Sequence, residues 1–445
     1  MARITLLTLL AGVFVFSVTS PTAARKPPPD VPTPTVERIA IDVTGAPKLD
    51  AAPPRSRLKA VHFEYQGRMG FVVRIARKMT GANAQLPKTL PSPAVADGVV
   101  MVSGGIAESQ LIGIDAKTGK QLWATTLGDN GPSTLAVGRF RNRTRALLNT
   151  QSCTTYSITP RTGKQEWSRL VGPSVLAAPA VSGDRVYAAH TKNSSGGNGM
   201  SAALSAMDLV SGKVLWSADL GSDITGAPVV SSGRIYVTEM SGTVACFDLE
   251  GKMKWRAPLR ALNAPVADAA GLFVAVRGSG ATGIVRLDPK DGKTAWAFRP
   301  SGASGRIRTV TRRRVPPPDA WSGWAADPPR PVVLGSRLVV AGYRDLSILD
   351  TFTGKEKTRM VLPQGMTFSS PPAVAGKTLL YGTAEGLLLE IDPNLRAVRR
   401  VLDLGARIPS QPVLSEGMVY VMAGDCLYGI PWHKPGGPSY PQWGG

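Results

Sequence analysis

Asp115-Ala-Lys-Thr-Gly-Lys-Gln-Leu-Trp123 decides the fold, because its pattern returns along the chain. Asp208-Leu-Val-Ser-Gly212-Lys-Val-Leu-Trp216 and Asp288-Pro-Lys-Asp-Gly292-Lys-Thr-Ala-Trp296 repeat it at the same spacing. Asp248-Leu-Glu-Gly251-Lys-Met-Lys-Trp255 is one residue shorter. Thr159-Pro-Arg-Thr-Gly163-Lys-Gln-Glu-Trp167 replaces the leading Asp. Asp350-Thr-Phe-Thr-Gly354-Lys355 has Thr358 where the Trp is expected, and Asp392-Pro-Asn-Leu is an eroded seventh copy. Each part has a physical task. Asp can accept hydrogen bonds from the N–H groups of its own turn. Gly, as at Gly119, supplies the positive φ that a tight hairpin with a bulge requires. Lys starts the next strand in water, and the Trp beyond it is read as packing between repeats rather than as a cofactor platform.

A second pattern opens most copies. Pro93-Ala-Val95, Pro179-Ala-Val181, Pro228-Val-Val230, Pro265-Val266, Pro331-Val-Val333, Pro372-Ala-Val374 and Pro412-Val413 each precede a turn and a β-branched run, such as Arg234-Ile-Tyr-Val237. The unit therefore reads as four short strands. Consecutive signature Trp residues lie about 40 to 50 positions apart, the period of a propeller blade. An eighth copy begins at Pro412 and reaches Cys426-Leu-Tyr-Gly-Ile430 but has no outer strand. Ala60–Tyr65 and Phe71–Ala76 are the candidates to complete it and remove the open edges. The expected fold is all-β, an eight-bladed propeller of four-stranded antiparallel blades. Seven blades is the alternative, should Leu135–Trp167, which lacks the P-x-V opening, not form a blade.

These repeats, over residues 91 to 432, resemble the pyrroloquinoline quinone (PQQ)-like propeller repeat. That superfamily holds quinoprotein dehydrogenases and non-enzymatic members resembling BamB. The dehydrogenases place a quinone at the ring centre, hold a metal with carboxylate and amide oxygens, use an Asp base, and often stack the quinone on a disulfide between adjacent cysteines. This sequence has no adjacent cysteines, and the usual enzymes are longer. The resemblance therefore implies a binding scaffold with no cofactor, and a PQQ-dependent dehydrogenase with a degenerate site as the alternative. BamB-like members carry a lipidation cysteine that this chain lacks.

The chain has 445 residues, 43% hydrophobic and only 19% charged, with 48 Gly and 37 Pro, a composition of many turns and a large core. Its formal charge of +21 draws it toward polyanions. Arg3, the apolar run Ile4 to Val18 and the small residues up to Ala24 read as a cleaved signal peptide over 1–24. That run is short for a membrane span, which needs ~20 residues, and no later segment is apolar enough to make one. Export to the periplasm or the exterior is the expected localisation. Residues 25–58, with Lys26-Pro-Pro-Pro29 and Pro53-Pro54, read as an extended, mobile linker before a propeller over 59–432, and 433–445 as an irregular tail.

Cys153, Cys246 and Cys426 fall in separate repeats and are expected as buried thiols, not as a disulfide framework. His62, His190 and His433 are isolated, so no metal-ligand spacing appears. The repeat is broken once, over about 300 to 330, by Arg306, Arg308, Arg312, Arg313 and Arg314, a Pro run, then Trp321 and Trp324. Clustered Arg suits phosphate or carboxylate and paired Trp suits an interface. This insertion is the candidate interaction loop, for a protein or an anionic envelope polymer. No nucleic-acid-binding module accompanies it, and a monomer is expected. A polyanion-binding protein is a further alternative.

Overall fold

The computed structural model describes residues 36–75, 90–103, 108–152, 154–171, 177–193, 200–277, 282–299, 330–342, 344–394 and 396–433. These form eight antiparallel sheets in chain order around a ring. Blade 1 comprises Ala94–Ala96, Val99–Ser103, Gln110–Asp115 and Gln121–Thr126. Blade 2 comprises Ala136–Phe140, Arg143–Asn149, Thr154–Ile158 and Gln165–Leu170. It is complete despite its missing P-x-V opening, which rules out the seven-blade count. Blade 3 comprises Ala180–Ser182, Arg185–Asn193, Met200–Asp208 and Val214–Leu220. Blade 4 comprises Val229–Ser231, Arg234–Thr238, Thr243–Asp248 and Met253–Pro258. Blade 5 comprises Val266–Asp268, Gly271–Arg277, Thr282–Leu287 and Thr294–Phe298. Blade 6 comprises Val332–Leu334, Arg337–Ala341, Asp345–Asp350 and Glu356–Val361. Blade 7 comprises Ala373–Ala375, Thr378–Gly382, Leu387–Asp392 and Ala397–Asp403.

Blade 8 takes three strands from the C-terminal end, Val413–Ser415, Met418–Ala423 and Cys426–Pro431. Its outer strand is Arg68–Arg74, with Phe71 opposite Gly429, and Ala60–Tyr65 adds a fifth. Strand Val413–Ser415 lies beside Ala94–Ala96, so the ring is closed. Two N-terminal strands thus serve the last blade, one in the vacant place and one outside it.

The Pro-rich stretch is ordered over its described part. Glu37–Ala40 adds a parallel fifth strand to blade 6. The chain then crosses blade 7, where Leu49 N donates to Asp403 O at 2.8 Å, and reaches blade 8, where Leu58 N donates to Arg74 O at 3.0 Å. Residues 36–58 therefore form a strap rather than the mobile spacer read from composition. The physical reason lies in a few apolar residues between the prolines. Ile41 and Val43 are buried in the core between blades 6 and 7, and Leu49 in that between blades 7 and 8.

Buried hydrophobics fill the wedge between each pair of blades. Phe71, Val73, Val100, Ile112, Tyr420 and Leu427 pack where blade 8 meets blade 1. Tyr187, Leu204, Ile235 and Phe247 do so between blades 3 and 4. The second and third strands are buried on both sides, and the fourth alternates, as between Trp123 and Ala124.

Candidate functional site

The signature residues form one repeated device. In blade 1 the Asp115 carboxylate accepts from Lys117 N at 3.1 Å, Thr118 N at 2.8 Å and Thr118 Oγ1 at 2.8 Å. Asp208 and Asp350 cap their turns in the same way. Asp248 accepts from Lys252 N at 2.7 Å and Asp288 from Lys290 N at 2.8 Å. Bonds from Ser211 hold the Asp208 carboxyl below the usual range, and contact with Lys357 does the same for Asp350. For Asp115, burial alone would raise the pKa, and the Thr118 and Lys117 donors outweigh it.

The turn glycines, including Gly119 with φ 70°, are left-handed, and each accepts a ring from the preceding blade. Trp123 lies on Gly163, Trp167 on Gly212, Trp216 on Gly251, Trp255 on Gly292 and Trp296 on Gly354. Each indole Nε1 also donates to a carbonyl of that turn, Trp167 to Leu209 O at 3.1 Å and Trp255 to Pro289 O at 3.0 Å. The Trp residues are therefore engaged between blades.

Three blades use something else at the Trp position. Register puts Thr358 there in blade 6, Arg400 in blade 7 and Phe71 in blade 8. Phe71 lies against Gly119, closing the ring with the same geometry. The Arg400 guanidinium stacks 4.4 Å from the Trp432 ring centroid, and Trp432 Nε1 donates to Glu390 at 3.0 Å. Ile41, Val43 and Leu49 of the strap enter the cores beside the two blades without an aromatic at this position.

The antiparallel order gives the propeller two unlike faces. The Asp turns and the turns between first and second strands lie on one face, the turn face. The loops between second and third strands, and those leading to the next blade, lie on the other, the loop face. The insertion carrying Arg306, Arg308, Arg312, Arg313, Arg314, Trp321 and Trp324 lies outside the described residues. Its two ends, Arg299 and Arg330, are described, and both belong to the loop face between blades 5 and 6.

Charge on that face is uneven. The described loops of blades 1 to 3, and the loop between the second and third strands of blade 4, carry Glu108, Asp129, Asp223 and Glu239 and no Lys or Arg, although Lys192 stands near the loop end of a blade 3 strand and Arg57 lies 3.9 Å from Glu108. Glu239 is buried and ion-paired with Arg256. From the end of blade 4 to blade 6 come Arg260, Arg277, Arg299, Arg330 and Arg344, with no carboxylate in the described loops between them. Arg260, Arg277 and Arg299 are exposed and, among the described residues, have no carboxylate partner. They share one end of blade 5. Arg277 N donates to Arg260 O at 2.9 Å. The Arg299 stem lies over Gly283, its Cγ 3.6 Å from where a Cβ would sit, and Gly283 pairs with Val276. Arg260 is held at φ 58°, with Gly242 close under its backbone. Sequence reading passed over these arginines because they stand singly, 17 and 22 positions apart (277 − 260 and 299 − 277).

The fold raises the question of a quinone and its metal. Among the described residues no group of three or more His, Cys, Asp or Glu stands close enough to hold a metal ion. Cys246 and Cys426 are buried, unpaired thiols in different blades. The described residues do not assemble the carboxylate set that a quinone-bound metal takes.

A propeller closed by repeated aromatic-on-glycine docking defines the PQQ-like class. The profile of the family described as outer membrane protein assembly factor BamB matches residues 66–195 and 200–319, and the chain belongs to that family. Solved structures of the same fold include BamB from Moraxella catarrhalis, with a TM-score of 0.53 and 14% identity over 83% of this chain and 97% of that one. The computationally designed Ika8 protein aligns with a TM-score of 0.56 and 13% identity over 78% and 96%. A europium-containing methanol dehydrogenase aligns with 0.54 and 15% over 75% and 82%. At such identities the likeness is one of fold. No curated protein matches the chain in sequence.

Proposed function

We propose that this protein is an exported, non-catalytic scaffold of the cell envelope that uses the loop face of its propeller to bind a protein or an envelope polymer. The observation that carries the reading is the uneven loop face, with arginines gathered at blades 5 and 6 on an otherwise structural ring. Family membership and the signal-peptide reading of residues 1–24 support it, as does the occupation of the repeat residues in packing. The scaffold has no cofactor and acts as a monomer. The family is named for the assembly of outer membrane proteins, and a partner of that kind is one form of the proposal. The formal charge of +21 favours an anionic partner.

Two measurements test it. Mature protein bearing a crosslinker on the loop face is expected to capture one envelope component reproducibly, and the same label on the turn face is not. Purified protein incubated with PQQ and calcium is expected to show no dye-linked oxidation of alcohols or sugars. Sustained turnover there would overturn the scaffold reading in favour of the dehydrogenase.

A further inference from the structure

We infer that Arg260, Arg277 and Arg299, at the loop-face end of blade 5, form a binding surface for a linear polymer bearing phosphate charges. The inference rests on the scaffold reading and names the chemistry of its partner. All three guanidinium groups are exposed and lack a carboxylate within the described structure, whereas their neighbour Arg256 is committed to buried Glu239. Unpaired arginines gathered on one blade end repel each other, and bound anions relieve that repulsion. Guanidinium binds phosphate oxygens through two parallel N–H donors and is more weakly hydrated than an ammonium, which favours phosphate contacts.

Geometry favours a chain over a single ion. Arg277 ends the second strand and Arg299 follows the fourth, so their backbones stand about two strand spacings, ~10 Å, apart. Arg260 flanks Arg277 from the preceding loop. Guanidinium groups spread along a blade end meet successive charges of a polymer rather than enclosing one phosphate. The loops of blades 1 and 3 give the path a direction, since a polyanion crossing the face is repelled from Asp129 and Asp223, whereas Glu108 is paired with Arg57.

The test uses fluorescent inorganic polyphosphate as the probe, with the mature protein at several salt concentrations. The site variant is R260N/R277Q/R299Q. Asn tolerates the left-handed backbone at position 260, so the charge goes without added strain. The control variant, K120Q/K213Q/K252Q, removes the same charge from the turn face. The site variant is expected to bind at least tenfold more weakly, with the slope of log K against log salt reduced by about 2 to 3. The control is expected to change binding less than threefold. Equal losses in the two variants would overturn the inference, because net charge alone would then explain binding. Tighter binding to poly-L-glutamate, or binding to phosphatidylglycerol vesicles without binding to polyphosphate, would also overturn it. No binding by wild-type protein at low salt would sink the inference while leaving the scaffold reading to the crosslinking result. Unchanged melting temperatures show that the variants are folded.

Discussion

At the scale of single residues, each indole dock puts an aromatic ring against a left-handed glycine and adds an N–H to carbonyl bond. Both halves should be measurable. A Cβ on Gly212 would lie 2.6 Å from the Trp167 ring, at φ 68°. Gly212→Ala is therefore expected to destabilise by roughly 2–4 kcal/mol, from left-handed strain and overpacking together. Trp167→Phe keeps an aromatic ring but removes the Nε1–H that bonds the Leu209 carbonyl and part of the packing on Gly212, at about 1–3 kcal/mol. Denaturant midpoints check the order. The capping Asp residues predict an acid dependence. Their folded pKa values lie below that of an ordinary Asp carboxyl, so the deprotonated form is favoured on folding. That stability is fully present above about pH 4 and is lost as pH falls through the folded values. Melting temperatures measured from neutral pH downward should fall less steeply below about pH 4 in the triple variant D115N/D208N/D350N than in wild type. These roles were legible in the sequence, since Asp, Gly and Trp recur at fixed spacing. Arg400 and Phe71 were not. Each occupies the Trp position only through strand pairing, and neither resembles Trp in a local pattern.

At the scale of elements, the strap and the dock replace each other. Blades 1 to 5 have the Trp and, among the described residues, take no added outer strand. Blades 6 and 7 lack an aromatic there, and Ile41, Val43 and Leu49 fill the adjoining cores instead. Removing residues 25–58 while keeping 59–75 should leave the ring closed but loosen blades 6 and 7. Hydrogen exchange is expected to rise in Glu356–Val361 and Ala397–Asp403 and stay unchanged in blades 2 to 4. Uniform acceleration, or none, would show that the strap does not replace the missing docks. The repeats told where the blades are, and the missing outer strand of the last one pointed to the N-terminal region. Composition misread the strap, because prolines outweigh a few apolar residues in any average while burial depends on those few. The arginines of blade 5 escaped for a related reason, since three separate loop and strand ends meet only after the blade forms.

At the scale of the whole molecule, eight similar blades carry two dissimilar faces. The repeat constrains the turn face, where nearly every blade needs its Asp and Gly. The loop face has no such obligation, and its arginines gather at blades 5 and 6, its carboxylates lie mainly over blades 1 to 4, and Glu385, Arg407 and Asp425 mix the signs over blades 7 and 8. That division explains why a conspicuous motif says much about shape and little about binding. The closure of blade 8 has a further consequence, which concerns order in time. Arg68 bonds to the carbonyl of His433, 365 positions later, and Phe71 must wait for Gly429. Residues 60–74 leave the ribosome among the first and find their partners among the last. Contacts so distant along the chain make ring closure a late step. Until then one edge of the apolar strand Arg68–Arg74 stays unpaired and open to wrong pairing. Ribosome-bound chains halted before residue 413 should be cleaved readily within 60–74, and chains released with residue 433 should resist. A cell making this protein therefore has to shelter its beginning until its end arrives.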